Sequence, residues 1–279
     1  MARYLLRCFP WVSVGCSLEN PNQKKAAVLM TQVKGGDRLI GVIPARMGSS
    51  RFFGKPLAKI LGKEMIGWVY ENVTSCSMLK EVYVATDGEE ISEYCERQGI
   101  PCVMTSPDHK NCSERSNEVC RKVGGDLVVE IQGDEPTLEG ETIDAFIRDS
   151  LKSDFDVAVA YAEISPDDAK SAHTVKVAMD HRSRALFFSR SPLPCNFKEK
   201  DGVRYYGQVG LYLWKASALE RYAATEPSDI EATEDTHMLR LVVDRFDALM
   251  VQVDYAPVGV DLPEDIHYAE SYLKKRESS

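Results

Sequence analysis

The sequence predicts an α/β protein organised around a doubly wound, mostly parallel β-sheet. From Leu39 onward, short apolar runs that end in turn or acidic residues alternate with segments of helical spacing. Continuous apolar runs of this length are typical of strands covered on both faces. Regular alternation of strand and helix indicates crossover connections, which give a parallel sheet with helices on both sides.

Seven elements alternate strictly in the first half of the chain. The strands are predicted at 39–45, 81–87, 100–105 and 127–134, and the helices at 63–76, 89–99 and 113–125. The last two helices end at glycine, which commonly terminates a helix. The carboxyl ends of these strands are expected along one rim of the sheet, where ligands bind in such folds.

The second half is predicted as an elaboration of the same sheet, because no internal repeat or low-complexity linker separates it. The expected elements are a helix at 139–152, strands at 156–164, 174–180, 185–190 and 207–214, helices at 216–224 and 231–245, a strand at 249–256 and a helix from about Pro263.

Composition excludes several classes of function. Hydrophobic residues make up 44% and charged residues 28% of the 279 residues, which is typical of a globular protein. The net charge of −9 argues against nucleic-acid binding, since no basic face is available to neutralise phosphates. No apolar run is long enough to predict a membrane span. Any anionic ligand must therefore meet a local cluster of Lys and Arg.

The eight cysteines show no CxxC pair and no spacing typical of zinc ligands, which favours reduced thiols in a cytoplasmic compartment. The first 38 residues carry six basic side chains against two acidic ones, and Arg7 and Pro10 interrupt their apolar part. That interruption argues against a secretory signal. We expect a flexible N-terminal extension at 1–38, with organelle targeting as the alternative.

The stretch "IPARMGSSRFFGKPL" (43–57) follows the first predicted strand and carries Arg46, Arg51 and Lys55. Gly48 and the serines at 49 and 50 allow close backbone approach and add hydroxyl donors, an arrangement suited to phosphate oxygens. Neither GxxxxGK[ST] nor GxGxxG is present, so this is not a Walker or dinucleotide loop. A solvated basic loop is the alternative interpretation.

Acidic residues follow two other predicted elements. "QGDEP" ends a buried strand in Asp134 and Glu135, which are expected to point in opposite directions. "VGVDLPED" places Asp261 before a helix. Carboxylates opposite phosphate-binding cations are how a divalent metal ion is held in such sites. Taken alone, Asp134 is equally compatible with capping a turn and Asp261 with capping a helix.

Together these motifs resemble the 3-deoxy-manno-octulosonate cytidylyltransferases, or CMP-Kdo synthetases, from about Leu39 to Tyr272. The resemblance is carried by "IPARMGSSRFFGKPL", "VYVATD", "HKNCSER", "VVEIQGDEP", "KVAMD", "ALFFSRSPLP" and "VGVDLPEDI". It implies a Rossmann-like, nucleotide-diphospho-sugar transferase-like fold. It also implies transfer of CMP from CTP to a 3-deoxy-2-ulosonic acid (Kdo), with Mg²⁺ as cofactor and pyrophosphate as the second product.

The resemblance also implies roles for individual residues. The catalytic set is Arg46, Arg51, Lys55 and Asp134; the nucleotide-binding set is Pro44, Ala45, Arg46, Ser49, Arg51, Lys55, Ser113, Arg115 and Gln132; the magnesium ligands are Asp134 and Asp261. The nucleotide half is expected at about 39–150. An acceptor and dimerisation elaboration is expected at about 151–260, followed by a C-terminal helix at about 263–275. A homodimer is expected through the extended β segment around 185–215.

The sequence departs from the family pattern on the acceptor side. The acceptor set implied by the resemblance is Lys176, Gln208, Tyr212, His237 and Met238. Gln208 stands where the family has histidine, and His237 and Met238 stand where it has Glu and Gln. Loss of hydrogen-bonding groups changes a pocket built for hydroxyls. Amino-Kdo, another nonulosonic acid or a phosphonate such as phosphonoformate are therefore alternative acceptors, and a silent CTP-binding regulatory or scaffold protein is the non-enzyme alternative.

Two further departures lie near the nucleotide. Phe53 stands where the family has proline, and Cys112 with Ser113 replaces Gly-Thr.

For His237, a role as general base and a role in packing both remain open. Lys176 is equally compatible with contacting the acceptor carboxylate and with a structural ion pair.

Overall fold

The computed structural model describes residues 37–48, 51–255 and 259–277. The predicted extension at 1–38 lies outside this range except for its last two residues, and so does Ser49. Among the described residues, no helix combines the length and the apolar character needed to cross a bilayer.

The α/β fold class is confirmed, because nine strands form one mixed sheet with helices on both faces. The strands are β1 (Leu39–Pro44), β4 (Val82–Thr86), β5 (Cys102–Met104), β6 (Leu127–Ile131), β7 (Val157–Ile164), β8 (Lys176–Met179), β9 (Ala185–Ser189), β10 (Tyr205–Lys215) and β11 (Ala248–Gln252). A separate hairpin is formed by β2 (Lys59–Ile60) and β3 (Lys63–Glu64). These two-residue strands are too short to give a period-2 pattern, and were not predicted.

The main path through the sheet runs β11-β7-β10-β6-β1-β4-β5, with β8 and β9 attached beside β10. β1 pairs in parallel with β4 and β6, whereas β10 is antiparallel to both β6 and β7. The sheet is therefore parallel except where β10, β8 and β9 enter, and the second half of the chain extends the sheet begun by the first. The carboxyl ends of β1 and β6 lie side by side.

Besides two short 3-10 helices, Lys55–Leu57 and Pro263–Asp265, nine α-helices accompany the sheet in the described part of the chain. They are α1 (Met65–Thr74), α2 (Glu89–Gln98), α3 (Cys112–Val123), α4 (Gly140–Ser150), α5 (Pro166–Lys170), α6 (Ala216–Ala223), α7 (Asp229–Glu234), α8 (Leu239–Val243) and α9 (Ile266–Glu277). Apolar side chains of α1, α2 and α4 pack on one face of the sheet, and those of α3, α6 and α8 on the other. Burial on both faces explains why the central strands consist of continuous apolar runs.

One predicted helix was wrong as a continuous element. The segment 231–245 forms α7 and α8, separated by Asp235 in the left-handed region at φ 46°. A positive φ ends a helix because the following residues cannot continue its hydrogen bonds. Thr236, His237 and Met238 therefore lie in a turn, and their directions do not follow helical periodicity.

Candidate active site

A cleft of about 1010 Å³ lies beyond the carboxyl ends of β1 and β6. Its walls come from the loop after β1, the turn after β6, the start of α3, strand β10 and the loop that follows α7. Most of the residues predicted from sequence line it, namely Pro44, Ala45, Arg46, Arg51, Lys55, Arg115, Gln132, Asp134, Gln208, His237 and Asp261. The structure thus brings together residues that are far apart in the chain.

Two cations and two carboxylates meet in one cluster of this cleft. Lys55 Nζ donates to Asp134 Oδ2 at 2.7 Å and to Asp261 Oδ1 at 3.3 Å. Arg51 reaches Asp261 with an N–O distance of 3.1 Å. Burial lowers the pKa of the Lys55 ammonium, but Asp134 and Asp261 more than offset burial, so the pKa is raised overall. Lys55 therefore carries its charge at neutral pH.

Local backbone features place the members of this cluster. Gly54 adopts φ 71° immediately before the short helical turn Lys55–Leu57, a conformation that side chains other than hydrogen disfavour. Its N–H donates to Met47 O at 3.0 Å, which folds the basic loop back on itself. The loop then presents Lys55 to the cleft while Pro56 is buried beneath it.

The two aspartates are joined through the backbone. Val260 N donates to Asp134 O at 3.0 Å, so the segment that carries Asp261 is fixed against the turn after β6. Asp265 Oδ2 accepts the N–H groups of Asp261 and Leu262 at 2.9 and 2.8 Å, which stabilises the turn before α9. The N-cap position is occupied by Leu262, so Asp261 does not take the role of helix cap that the sequence left open, and its carboxylate pairs with Arg51 and Lys55.

Glu135 behaves differently from its neighbour Asp134. Its side chain is buried, and Oε2 accepts the hydroxyl of Tyr255 at 2.9 Å. Burial, with repulsion from Asp134 as the next cause, raises the pKa of the Glu135 carboxyl to about 7. Both residues line the cleft, and among the described residues Asp134 rather than Glu135 pairs with Lys55.

Gly133 allows the turn after β6 to approach β1 closely. A Cβ atom at this position would lie 2.8 Å from Pro44 O. Any side chain would push the turn away from the end of β1, and Asp134 would move with it. The glycine in "QGDEP" therefore has a steric reason.

Arg115 and Gln132 form the wall predicted to surround the nucleotide base. The Arg115 guanidinium is held by Asp87 at 3.2 Å and by the hydroxyl of Thr105. Gln132 Nε2 donates to Tyr212 OH at 3.0 Å, and Gln208 Nε2 donates to the same hydroxyl at 2.6 Å. Tyr212 therefore connects the predicted nucleotide wall with the predicted acceptor wall.

Four predicted contacts require correction, because the structure does not place these side chains on the cleft surface. Met238 is fully buried in the apolar core beneath the cleft. Tyr212 is also fully buried and acts through the two glutamines that it binds. Ser113 is buried and donates to Glu130 Oε1 at 3.2 Å. Each of these side chains supports the cleft from below.

Lys176 is the fourth correction. It is fully buried, and its ammonium donates to the carbonyl oxygens of Ser171 and Thr174 at 2.7 and 2.8 Å and to that of Arg190. All three of its donors are used by the backbone, so none remains for an acceptor carboxylate. Lys176 instead fixes the loop that carries His173, whose Nδ1 lies 3.2 Å from Arg51.

His237 lines the cleft beside Cys112, with 3.3 Å between Nε2 and Sγ. Burial, assisted by the charge of Arg240, lowers the pKa of His237 to about 4, so the imidazole is neutral at pH 7. Burial raises the pKa of the Cys112 thiol well above its usual range. A base with a pKa near 4 is poorly matched to proton abstraction at neutral pH.

Arg190 lines the cleft and was missed from the sequence. Its guanidinium donates to the carbonyl oxygens of Ala172, Glu234 and Asp235 at 2.9, 2.9 and 2.7 Å, which holds it rigidly. The sequence feature that could have identified Arg190 is its position at the end of a predicted strand, directly after β9. Its partners come from distant loops, which spacing in the sequence does not reveal.

Cations and paired carboxylates at the carboxyl ends of the parallel strands β1 and β6 suit a nucleotidyltransferase. Residues 40–248 match the model of the family described as Cytidylyltransferase. The 3-deoxy-manno-octulosonate cytidylyltransferase of Chlamydia pneumoniae is 39% identical over 238 residues, which cover 84% of this chain and 93% of that protein. The mitochondrial enzyme of that name from Arabidopsis thaliana is 35% identical over 247 residues, with 87% and 85% covered.

A solved structure of CMP:2-keto-3-deoxy-manno-octonic acid synthetase complexed with CTP superposes with a TM-score of 0.79 at 33% identity, covering 86% of this chain and 99% of that one. A glucose-1-phosphate thymidylyltransferase from Bacillus anthracis, at 15% identity and a TM-score of 0.62, shares the fold. The chain belongs to the cytidylyltransferase family, among the CMP-Kdo synthetases, and is a CTP-dependent enzyme.

Proposed function

We propose that this enzyme transfers CMP from CTP to the anomeric hydroxyl of a 3-deoxy-2-ulosonic acid, Kdo or a close relative, with Mg²⁺ as cofactor and release of pyrophosphate. The observation that carries the proposal is the cluster of Arg51, Lys55, Asp134 and Asp261 beyond β1 and β6. Its cations suit a triphosphate and its carboxylates suit a divalent metal ion.

In this proposal Arg46, Arg51 and Lys55 bind the triphosphate of CTP. Arg46 is exposed in the cleft, and Arg51 is partly exposed, so both can reach phosphate oxygens. Positively charged donors fixed before the reaction stabilise negative charge that develops during phosphoryl transfer. Ser49 is proposed to add a hydroxyl donor to the phosphates.

The cytosine base is proposed to lie between Arg115, Gln132 and the backbone at Pro44 and Ala45. All four residues line the same cleft as the cation cluster. Asp87 and Thr105 hold the Arg115 guanidinium, so this wall is fixed before the nucleotide binds.

Asp134 and Asp261 are the proposed ligands of Mg²⁺. The donor set fits, because two carboxylates already surround one cationic group, the ammonium of Lys55, and hard oxygen ligands suit Mg²⁺. When bound, Mg²⁺ supplies charge neutralisation for the phosphates. Asp265 keeps Asp261 oriented, and the hydrogen bond from Val260 to the Asp134 backbone keeps the two aspartates together.

The acceptor hydroxyl oxygen forms a bond to the α-phosphorus while the bond from that phosphorus to the bridging oxygen of pyrophosphate breaks. The hydroxyl proton leaves to water. Because the pKa of His237 is about 4, we assign His237 to the pocket wall rather than to proton transfer. Positioning of two bound substrates and charge neutralisation then supply most of the acceleration.

Arg190 takes the place proposed for Lys176 as the cation that meets the acceptor carboxylate. Its side chain is 24% exposed and is fixed by backbone carbonyls, whereas Lys176 has no exposed surface. The bonds of Arg190 to His173 O and Asp235 Oδ2 are long, at 3.4 Å each, and these are the two donors, one on each terminal nitrogen, that an acceptor carboxylate would take over. Gln208 and His237 line the same cleft.

An acid other than Kdo is the second candidate acceptor, and the observation that bears on it is the hydrogen bonding of Gln208. Gln208 Nε2 donates to Tyr212, and its buried Oε1 has no hydrogen-bond partner among the described residues. A hydroxyl or an amino group of the acceptor that donates at this point would satisfy Oε1. A small, highly charged phosphonate would depend less on the replaced hydroxyl-binding groups.

The test is pyrophosphate release from CTP and Mg²⁺ with Kdo, an amino-Kdo, another nonulosonic acid and phosphonoformate offered separately. We expect release with a ulosonic acid. Release with phosphonoformate alone would overturn the ulosonic assignment, and CTP binding without release with any acid would overturn the catalytic proposal. The variant Gln208→His should raise kcat/KM for Kdo relative to amino-Kdo, with the exposed substitution Lys59→Met as control.

We also propose a homodimer, with residues 39–150 as the nucleotide half, 151–260 as the acceptor and dimerisation half, and 263–275 as the C-terminal helix. The exposed apolar side chains Leu186 and Phe197, which are 54% and 87% accessible, lie in the segment expected to pair. Sedimentation should give twice the chain mass, and Phe197→Ser should shift the equilibrium toward the monomer. A cytoplasmic location remains part of this proposal.

A further inference from the structure

A second group of metal-binding side chains lies in the wall of the cleft, formed by Cys112, Glu130 and His237. One ligand atom from each lies within 4.8 Å of the others, and Cys112 Sγ is 3.3 Å from His237 Nε2. The three residues come from the start of α3, from β6 and from the turn between α7 and α8. Their separation in the sequence explains why cysteine spacing predicted no zinc site.

Glu130 supplies the second, independent observation. Its side chain is fully buried, and Oε1 accepts the hydroxyl of Ser113 at 3.2 Å, whereas Oε2 has no partner of good hydrogen-bond geometry among the described residues, although Cys112, Ser116 and Trp214 lie around the carboxylate. Buried carboxylates are normally paired, because removing a charge from water costs several kcal/mol. An oxygen without a well-aligned partner beside a thiol and an imidazole therefore leaves room for a cation.

We propose that Cys112, Glu130 and His237 form a binding site for Zn²⁺ or a similar borderline-soft divalent cation, with the open coordination position facing the cleft. Sulfur, nitrogen and oxygen donors in this combination suit Zn²⁺ and not Mg²⁺. Standard bond lengths require the ligand atoms of a tetrahedral zinc ion to lie about 3.3–3.6 Å apart. The distance between Cys112 and His237 meets this requirement, and the Glu130 oxygen, which lies within 4.8 Å of both, would have to approach by up to about 1.5 Å.

Neighbouring residues support the ligands as outer-shell partners do in metal sites. Ser113 donates to Glu130, and Tyr222 OH donates to the backbone carbonyl of His237 at 3.1 Å. Because Cys112 and His237 both line the cleft, a bound cation remains accessible to solvent and to small ligands. The inference goes beyond the proposed function, because it depends neither on the acceptor nor on turnover.

The experiment uses the full chain after treatment with a chelator, titrated with Zn²⁺ by equilibrium dialysis and with Co²⁺ as a spectroscopic probe. Wild type should show a thiolate-to-cobalt charge-transfer band that Zn²⁺ displaces. Cys112→Ser should abolish the band, and His237→Gln should weaken Zn²⁺ binding more than about 100-fold, because even outer-shell partners contribute 10–100-fold.

Matched controls are Cys195→Ser and His181→Gln, which remove an exposed cysteine and an exposed histidine and should leave binding unchanged. Asp261→Asn should also keep the cobalt band, since Asp261 belongs to the other cluster. Circular dichroism of each metal-free variant checks the fold, and His237→Gln serves if Cys112→Ser does not fold. Absence of the band in wild type, or wild-type affinity in both ligand variants, would overturn the proposal.

Discussion

Glu135 provides a quantitative test of the electrostatics behind the active site. Its side chain is only 8% exposed, accepts a hydrogen bond from Tyr255 and lies next to Asp134 in the chain. Burial is the main cause that raises its pKa from 4.5 to about 7, and Asp134 adds to the shift. The variant Glu135→Gln removes the titration while keeping the size and the hydrogen-bonding capacity of the side chain.

The sign of the effect follows from proton binding. Below pH 4.5 the carboxyl is protonated in both the folded and the unfolded chain, so titration contributes nothing. Between pH 4.5 and 7 only the unfolded chain releases the proton, and the stability of the folded state falls as the pH rises. Each pKa unit corresponds to 1.36 kcal/mol, so wild type should lose about 3 kcal/mol relative to Glu135→Gln across this window.

Urea unfolding of both proteins from about pH 5 to about pH 8.5 measures this difference. The free energies of unfolding should diverge progressively up to about pH 7 and run in parallel above it. Glu141→Gln, at an exposed position in the first turn of α4, is the matched control for exchanging a glutamate for a glutamine. Equal pH slopes for wild type and Glu135→Gln would refute the assignment of a raised pKa to this residue.

Three further predictions concern individual side chains. Lys55→Met should lower kcat/KM for CTP about 10²–10³-fold, the usual cost of removing one preorganised donor, whereas the exposed Lys59→Met should not. Met238→Ala should lower the free energy of unfolding by about 2–5 kcal/mol, as core truncations do, and leave the KM for the acceptor within twofold. A large change in this KM would show that Met238 contacts the acceptor directly. Arg240→Met should destabilise the protein by about 3–5 kcal/mol in urea unfolding, because Glu231 would keep a buried charge without its partner; an unchanged midpoint would contradict this.

Strand ends explain why much of the active site could be predicted. Apolar runs located β1 and β6 within a few residues, and parallel strands end at one rim. Lys55 and Asp134 follow those ends, so their proximity could be expected from the order of the elements alone. Asp261 is remote in sequence, and its place depended on the family resemblance.

Backbone conformations that leave no periodic pattern in the sequence could not be predicted. The helical pattern of 231–245 gives no sign that Asp235 adopts a positive φ, and this break directs Met238 into the core and His237 into the cleft. Lys176 was assigned to the acceptor because a strand lysine near a rim can face a ligand. Its partners are backbone carbonyl oxygens of two loops. Backbone carbonyls are common to all residue types, so the sequence does not indicate which of them bind a side chain.

The most direct test of the proposed reaction is transfer of label from α-phosphorus-labelled CTP to Kdo in the presence of Mg²⁺, with the products separated and identified by mass spectrometry. We predict that the label appears in a CMP-sugar, with an equal amount of unlabelled pyrophosphate, and that the acceptor oxygen is joined to the labelled phosphorus. Label found only in CTP or in free CMP, with Kdo and each alternative acid unchanged, would contradict the proposed reaction.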